Sequence, residues 1–392
     1  MNAPTLIHWT DADGTARDAR WGAIGGPPAP RKVVPADDRM PADTAYKLAC
    51  EGTALLWQGD FQNARHLLQA LGRRLEQHGR RPKAGPHGGP AQAPRQTTLT
   101  PEAAREAFHQ HRQQQGHRAR ILGMLLLPFE ADHGVPLRRA PDVRQACLEA
   151  HGAVDTPYVA PLRELLGLIG AHEWRKKGVE IPALKGRIHT HHGVFSPVRG
   201  EYVDLVAKAP LPATDIAFDI GTGSAVLAAV LARRGVRRIV ATDLSPQALD
   251  CARENLQRLG LAAQVELLQA DLFPPGQAPL VVCNPPWLPA KPVSTIEQAV
   301  YDPDSRMLRG FLAGLRAHLA PGGEGWLIIS DLAEHLGLRS RQQLLDWIAA
   351  AGLEVAARHD IRPSHGKTRD ADDPLHAARA AEVTSLWRLR AA

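Results

Sequence analysis

The run Ile216-Ala217-Phe218-Asp219-Ile220, followed at once by Gly221-Thr222-Gly223-Ser224, constrains the fold of this chain more than any other stretch. Five mostly apolar residues bounded by a breaker are too short for a helix and suit a buried strand. The helix-forming run Ala225 to Arg234 comes directly after the break. The product is a strand, a tight turn and a helix N-terminus. Glycines let the backbone approach a ligand without a Cβ in the way, and the free amides of a helix start favour an anionic group. A dinucleotide and a carboxylate fit such a turn equally well. The dinucleotide fingerprint G-x-G-x-x-G is not met, because its sixth position is Val226.

The residues beyond the turn narrow the choice. Arg238 to Thr242 reads as a second strand ending at Asp243 and Leu244, roughly 20 residues after the turn, where an acid accepts hydrogen bonds from ribose hydroxyls. Pro246 to Gly260 has amphipathic helical spacing. Gln264 to Gln269 reads as a third strand leading to Ala270-Asp271-Leu272-Phe273, and Leu280 to Cys283 as a fourth leading to Asn284-Pro285-Pro286-Trp287. Ligands of open α/β sheets bind beyond the carboxyl ends of the strands, so Asp219, Gly221, Gly223, Asp243, Asp271 and Asn284 are expected at one edge. Met307 to Leu319 is an expected helix, Ala320 to Gly325 a turn and Trp326 to Ser330 a fifth strand. Leu336 to Ala351 is a further helix, Leu353 to Arg358 a sixth strand and Val383 to Arg390 a seventh. The intervening segment, His359 to Glu382, is longer than ordinary loops. It is expected to cover a target site with His365, Lys367 and Arg369 or to be a solvated loop.

With these residues in place, the stretch from about 190 to 392 resembles class I S-adenosylmethionine-dependent methyltransferases. Within them it is similar to the HemK-type branch that carries an Asn-Pro-Pro-aromatic signature. His192 to Arg199 also looks like the segment preceding the first strand in that branch. The resemblance implies an α/β, Rossmann-like, seven-stranded domain and S-adenosyl-L-methionine as cofactor. It implies that Asp219, Gly221, Thr222 and Gly223 shape the methionine end of the cofactor pocket. Asp243, with Leu244 beside it, is implied to hold the ribose, and Asp271 to meet the adenine amino group with Leu272 against the ring. Branch members methylate glutamine amides of release factors and ribosomal protein, N6 of adenine, or N2 of guanine in rRNA. Arg199, Glu201 and Tyr202 fall in a segment that lies against the cofactor in the resembling enzymes.

The signature has a chemical reason. An amide or aromatic amino nitrogen is a poor nucleophile because its lone pair is delocalised. The Asn284 side-chain oxygen and the Pro285 carbonyl are suited to accept its two hydrogens, the prolines stiffen that pair of acceptors, and Trp287 offers a flat face for a planar group. Asn284, Pro285, Pro286 and Trp287 are therefore the candidate catalytic residues, with Asn284 also facing the cofactor. The aromatic position more often holds Tyr or Phe, so Trp287 leaves the pocket size, and with it the acceptor, open among a protein amide, an RNA base and a small molecule.

Charge is divided unevenly. Residues 1–190 hold 26 Lys and Arg against 19 Asp and Glu, and residues 191–392 hold 21 against 22. Basic runs include Arg73-Arg74, Arg80-Arg81, His109 to Arg120, Arg138-Arg139 and Arg175-Lys176-Lys177. Such an excess suits docking to nucleic acid or ribosome, and equally a solvated helical surface. The expected organisation is an N-terminal accessory region with Pro/Gly-rich linkers over 1–98, a helical accessory region over 99–189 and a methyltransferase domain over 190–392. Leu6 to Trp21 reads as a hairpin around Asp13-Gly14, Thr44 to His78 as one or two amphipathic helices, and Thr100 onward as a helix running to Leu127. Asp142 to His151 and Leu162 to Lys177 complete a largely helical half.

No apolar run approaches the length of a membrane span and no secretory signal is evident, so a soluble cytoplasmic protein is expected. Cys50, Cys147, Cys251 and Cys283 are far apart and form no C-x-x-C pair. They are expected to be reduced core residues, Cys283 included. His189-Thr190-His191-His192 has no acidic or Cys partner at ligand spacing, so no metal site is expected. The expected partners are a macromolecular substrate, namely a translation factor, a ribosomal protein or RNA, with nucleic acid met by the basic half.

Overall fold

A computed structural model describes residues 5–11, 13–24, 28–79, 100–292, 296–363, 370 and 373–392. The linker expected within 80–98 and the side chains of His365, Lys367 and Arg369 lie outside the described residues. The chain parts into two compact units, Met1–Arg95 with Gln110–Glu173, and Gln96–His109 with Trp174–Ala392.

In the first unit, β1 (Leu6–Thr10) and β2 (Ala16–Trp21) pair antiparallel as the expected hairpin. The chain continues through β3 (Lys32–Ala36), α1 (Ala42–Cys50), β4 (Thr53–Trp57), α2 (Phe61–Gly79) and α3 (Pro101–Leu122), of which the residues up to His109 are counted with the second unit. Then come β5 (Leu125–Phe129), α4 (Arg144–His151), β6 (Tyr158–Pro161) and α5 (Leu162–Lys177). The expected helices are present, but they accompany a six-stranded sheet, ordered β1-β2-β6-β5-β4-β3, that the sequence pattern does not announce. Leu55, Leu56 and Trp57, expected in helix, are strand residues of β4. Helix α3 stops at Leu122, short of the expected Leu127, and Leu125 to Leu127 open β5. Both strands are uninterrupted apolar runs, as suits strands buried on both faces, and such runs carry no period that separates strand from helix. Strands β5 and β6 complete a sheet begun by residues before 58, and the compact units part at 95/96, 109/110 and 173/174.

From Val179 onward the second unit holds β7 (Val179–Ile181), β8 (Gly186–Ile188) and α6 (Glu201–Lys208). Its main run is β9 (Ile216–Ile220), α7 (Val226–Arg233), β10 (Arg238–Asp243), α8 (Pro246–Arg258), β11 (Val265–Gln269) and β12 (Ala278–Cys283). It ends with α9 (Arg306–His318), β13 (Leu319–Ser330), α10 (Leu332–His335), α11 (Arg341–Ala350), β14 (Leu353–Ile361), α12 (His376–Ala381) and β15 (Thr384–Ala391). The seven-stranded sheet is ordered β11-β10-β9-β12-β13-β15-β14, parallel except for β15, which runs antiparallel to both neighbours.

Alternation along the strands builds two cores. Ala217, Ile239, Leu280 and Trp326 pack with α6 and α7 residues on one face, and Phe218, Val240, Val281 and Leu327 pack with α9 and α11 residues on the other. Each large apolar side chain among them contributes roughly 1.5–3 kcal/mol when fully buried.

Three expectations shift here. The turn over Ala320 to Gly325 lies within β13, where Ala278 pairs with Leu319 and Leu280 with Glu324, so that residues 320–323 leave the register as a bulge. The helix expected over Leu336 to Ala351 starts later, as α11 at Arg341 with Ser340 as its cap, while Leu336 and Gly337 (φ 65°) close the short α10 that precedes it. The segment His359 to Glu382 is not a loop throughout, since its first residues extend β14 and its last form α12. No helix among the described residues is long and apolar enough to cross a membrane.

Candidate active site

Strand β9 pairs with β10 on one side and β12 on the other, so the sheet's order reverses at this point. The carboxyl ends of β9 and β12 therefore flank the crevice where open α/β sheets bind ligands. Asp219, near the end of β9, is buried, and its Oδ2 accepts bonds from Thr222 Oγ1 at 2.7 Å and Ala228 N at 3.1 Å. Burial raises its carboxyl to about 6, against the opposing pull of those two donors. The turn needs its glycines: Gly221 has φ 70° and Gly223 φ 55°, both in the left-handed region. Nothing lies within 4 Å of a Cβ built on Gly223, so that side of the turn faces open space.

Asp243, at the end of β10, accepts bonds from Gly223 N and Ser245 N, each at 2.9 Å. Burial raises its pKa against those bonds. Leu244 beside it is exposed. Thr242 Oγ1 donates to the Leu272 carbonyl at 2.5 Å, which ties the end of β10 to the segment after β11, and Leu272 takes a left-handed φ of 79°. The strand ends thus bring Asp219, Thr222, Gly223, Asp243 and Leu272 into one bonded set. Asp271 is exposed and paired with Arg306, Nη2 to Oδ2 at 2.6 Å, a partner the sequence did not suggest.

Strand β12 delivers Asn284. Trp287 Nε1–H donates to Asn284 Oδ1 at 2.9 Å, so Trp287 does more than offer a flat face: it orients the amide. Arg199 lies over the Trp287 ring, 5.4 Å from its centroid, and pairs with Glu201 and Glu382 at 3.1 and 2.9 Å. Arg199 and Glu201 carried a sequence signal as part of the segment before β9. Glu382 and Ser330, which donates to it at 2.6 Å, carried none, because neither belongs to a motif and Glu382 is 183 residues from Arg199.

A second group without a sequence signal opens α9. Asp302 is buried and accepts from Met307 N and Leu308 N, while Asp304 and Ser305 both take left-handed φ. A Cβ on Gly221 would lie 2.3 Å from Met307 Cε, so Met307 sits directly against the glycine turn. Backbone strain of this kind concentrates at functional sites.

The family model for ribosomal protein L11 methyltransferase (PrmA) matches residues 206–302, which span β9 through the Asn284 segment. The second unit is a class I S-adenosylmethionine-dependent methyltransferase domain. A release factor glutamine methyltransferase of Moorella thermoacetica is 38% identical over 141 residues, 34% of this chain and 50% of that protein. A ribosomal protein L11 methyltransferase of Pelotomaculum thermopropionicum is 45% identical over 146 residues, 36% of this chain and 39% of that one. A tRNA1(Val) (adenine(37)-N6)-methyltransferase of Shewanella loihica is 29% identical over 182 residues, 44% of this chain and 72% of that one. This chain therefore spans about half the length of the first of these relatives and less of the second.

The glycine turn presents backbone beside open space, and Asp243 stands one strand away with its carboxylate fixed by two amides. Cys283 is fully buried and its thiol is pushed well up by desolvation, which suits packing and not nucleophilic attack. Two residues of the histidine run make polar contacts with α8: His189 N donates to Asn255 Oδ1 at 2.7 Å, and His191 Nε2 lies 3.1 Å from Glu254. Among the described residues, no group of three or more His, Cys, Asp or Glu side chains is placed to hold a metal ion. Several of the basic runs are matched by acids: Arg74 pairs with Asp43, Arg118 with Glu76, Arg138 and Arg139 with Asp60, and Arg175 with Glu254.

Proposed function

We propose that the chain is an S-adenosylmethionine-dependent N-methyltransferase whose acceptor is a planar amide of a protein, a glutamine side chain of a translation component. Asn284, set at the switch point with its oxygen oriented by Trp287, is the observation that carries this reading. When bound, the cofactor supplies an electrophilic methyl on a sulfonium. Asp219 and Thr222 would shape the glycine turn at the methionine end, Asp243 with Leu244 beside it would hold the ribose hydroxyls, and Asp271 and Leu272 would meet the adenine. Asn284 Oδ1 and the Pro285 carbonyl accept the two N–H bonds of the acceptor, which turns its lone pair toward the methyl. A bound cofactor would supply its methyl to that nitrogen, and the displaced proton would pass to water at the edge of the site. No strong base is needed, so the domain's contribution is placement and exclusion of water.

Two features favour a protein amide over an RNA base. The acceptor-side wall around Trp287 carries two carboxylates, Glu201 and Glu382, against one guanidinium, which is unfavourable for neighbouring phosphates. Several of the basic residues in residues 1–190 that suggested nucleic-acid docking are bound to acids. Relatives named for release factor and ribosomal protein methylation support the same choice, and the relative named for tRNA adenine methylation supports the alternative.

The deciding experiment is transfer of labelled methyl from the cofactor into a cell extract, followed by mass spectrometry of what is labelled. Label on a glutamine amide of protein is expected. Label lost on ribonuclease treatment would replace this reading with RNA methylation, and label confined to small molecules would remove both.

A further inference from the structure

We propose that Arg199, clamped by Glu201 and Glu382, is a positioning residue that holds Trp287 and, through it, the Asn284 amide in the orientation that receives the methyl acceptor. The proposal deepens the N-methyltransferase reading and rests on it for the identity of the reaction, though not for the geometry.

The contacts form one chain. Asn284 Oδ1 accepts from Trp287 Nε1 at 2.9 Å. That bond uses one of two lone-pair directions on the oxygen and leaves the other for an acceptor N–H. It also sets which end of the amide faces the acceptor, since only an oxygen can take the indole hydrogen. A Tyr or Phe ring at this position has no N–H to give, so the device belongs to the tryptophan. Arg199 lies over the indole, its Cζ 5.4 Å from the ring centroid, and the ring also packs against the hydrophobic cores on both faces of the sheet. The guanidinium does not swing freely. Its Nε meets Glu201 Oε1 at 3.1 Å and its Nη2 meets Glu382 Oε1 at 2.9 Å, and three quarters of the side chain is covered.

Glu382 is itself fixed. It is 2% exposed, and its Oε1 also accepts from Ser330 Oγ at 2.6 Å, while Ser330 Oγ takes Leu332 N at 3.0 Å. The other carboxylate oxygen, Oε2, is buried and has no partner. A buried carboxylate with one oxygen unmatched is costly unless a cation stands beside it, so the Arg199 charge is required there for the wall to exist. The chain thus links the segment before β9, the end of β12, the end of β13 and the start of β15. An arginine that only braced the fold would have no reason to lie over the indole that orients Asn284. Lysine lacks the planar fork needed to meet two carboxylates and a ring face at once.

The test has a structural arm and a kinetic arm. In protein labelled with 15N-tryptophan, the Trp287 indole signal, assigned by its loss in Trp287→Phe, should exchange its hydrogen slowly. Arg199→Met should accelerate that exchange at least about tenfold, with Glu382→Gln intermediate and Arg199→Lys recovering only part. In methyl transfer to the extract fraction that wild type labels, Arg199→Met should lower kcat about tenfold to a hundredfold, with calorimetric affinity for S-adenosyl-L-homocysteine within about twofold of wild type. Unchanged indole exchange in folded Arg199→Lys and Glu382→Gln would overturn the proposal, as would loss of cofactor affinity equal to the loss of turnover. If wild type labels nothing, the N-methyltransferase reading fails, while the indole measurement still decides whether Arg199 positions Trp287.

Discussion

Each unit has a parallel strand that ends near a glycine and turns at once into a helix, and the two turns meet opposite fates. After β4 the chain reads Gln58-Gly59-Asp60 and enters α2. There the Asp60 carboxylate is filled by Gln62 N at 2.9 Å and by the Nε atoms of Arg138 and Arg139 at 2.9 and 2.6 Å. Asp38 takes Asp60 N, and a Cβ on Gly59 would lie 2.5 Å from Asp38 Oδ1. After β9 the turn keeps one side open, and the acid beside it, Asp243, is bonded to backbone amides alone among the described contacts. Sheet order explains the difference. Strands β3, β4 and β5 follow one another without reversal, whereas the order reverses at β9. One turn is a brace closed by its own chain, and the other is an edge prepared for something else.

The largest expected effect tests the second turn's purpose. Asn284→Ala should lower methyl transfer at least about a hundredfold, because misplacement of a reacting group by an ångström costs that much. Its calorimetric cofactor affinity should stay close to wild type, and full turnover in the variant would remove the proposed chemistry. Next is Asp243→Ala, which should weaken cofactor binding about tenfold or more through loss of ribose contacts and of the Gly223 tether. Asp60→Ala, its counterpart, should cost stability and leave cofactor affinity alone. Equal effects on affinity would erase the distinction between brace and edge.

Smaller effects come from the glycines themselves. Gly221→Ala forces a left-handed φ on alanine and drives its methyl into Met307, so a loss of about 1–3 kcal/mol is expected together with weaker cofactor binding. Gly59→Ala meets Asp38 alone, and thermal unfolding should fall without a change in affinity. A Gly221→Ala protein with unaltered cofactor titration would show that the turn does not approach the ligand.

The second unit was legible because its strands and helices alternate in sequence and carry breakers at each joint. The first-unit sheet was not, since Thr53–Trp57 and Leu125–Phe129 are short apolar runs next to genuine amphipathic helices, and nothing local says that β6 pairs with both β5 and β2. At the site, the motif residues Asp219, Asp243 and Asn284 could be found by spacing from the glycine turn. Arg306 on Asp271, Met307 on Gly221 and Glu382 on Arg199 could not, because each contact joins distant segments through side chains that form no pattern.

The last comparison separates the units by the sign of their response to acid. Asp219 titrates near 6 in the folded chain because it is buried, against an ordinary value of 3.8. Its charged form is the disfavoured one. The cost is absent below pH 3.8, grows as pH rises toward 6 and is full above it, at most about 3 kcal/mol. Asp60 is opposite: its hydrogen bonds to Arg139, to the Gln62 amide and to Arg138 hold its carboxyl well below 3.8. Its stabilisation is present above pH 3.8 and is lost as pH falls toward the depressed value. Asp219→Asn should therefore flatten the urea midpoint between about pH 4 and 6, since a side-chain oxygen in place of Oδ2 still accepts from Thr222 and Ala228. Asp60→Asn should lower the midpoint at neutral pH and flatten it on the acid side of about 4. Parallel slopes in the two variants would mean that the carboxylates share one environment, and that the contrast between the closed turn and the open one lies in their shape alone.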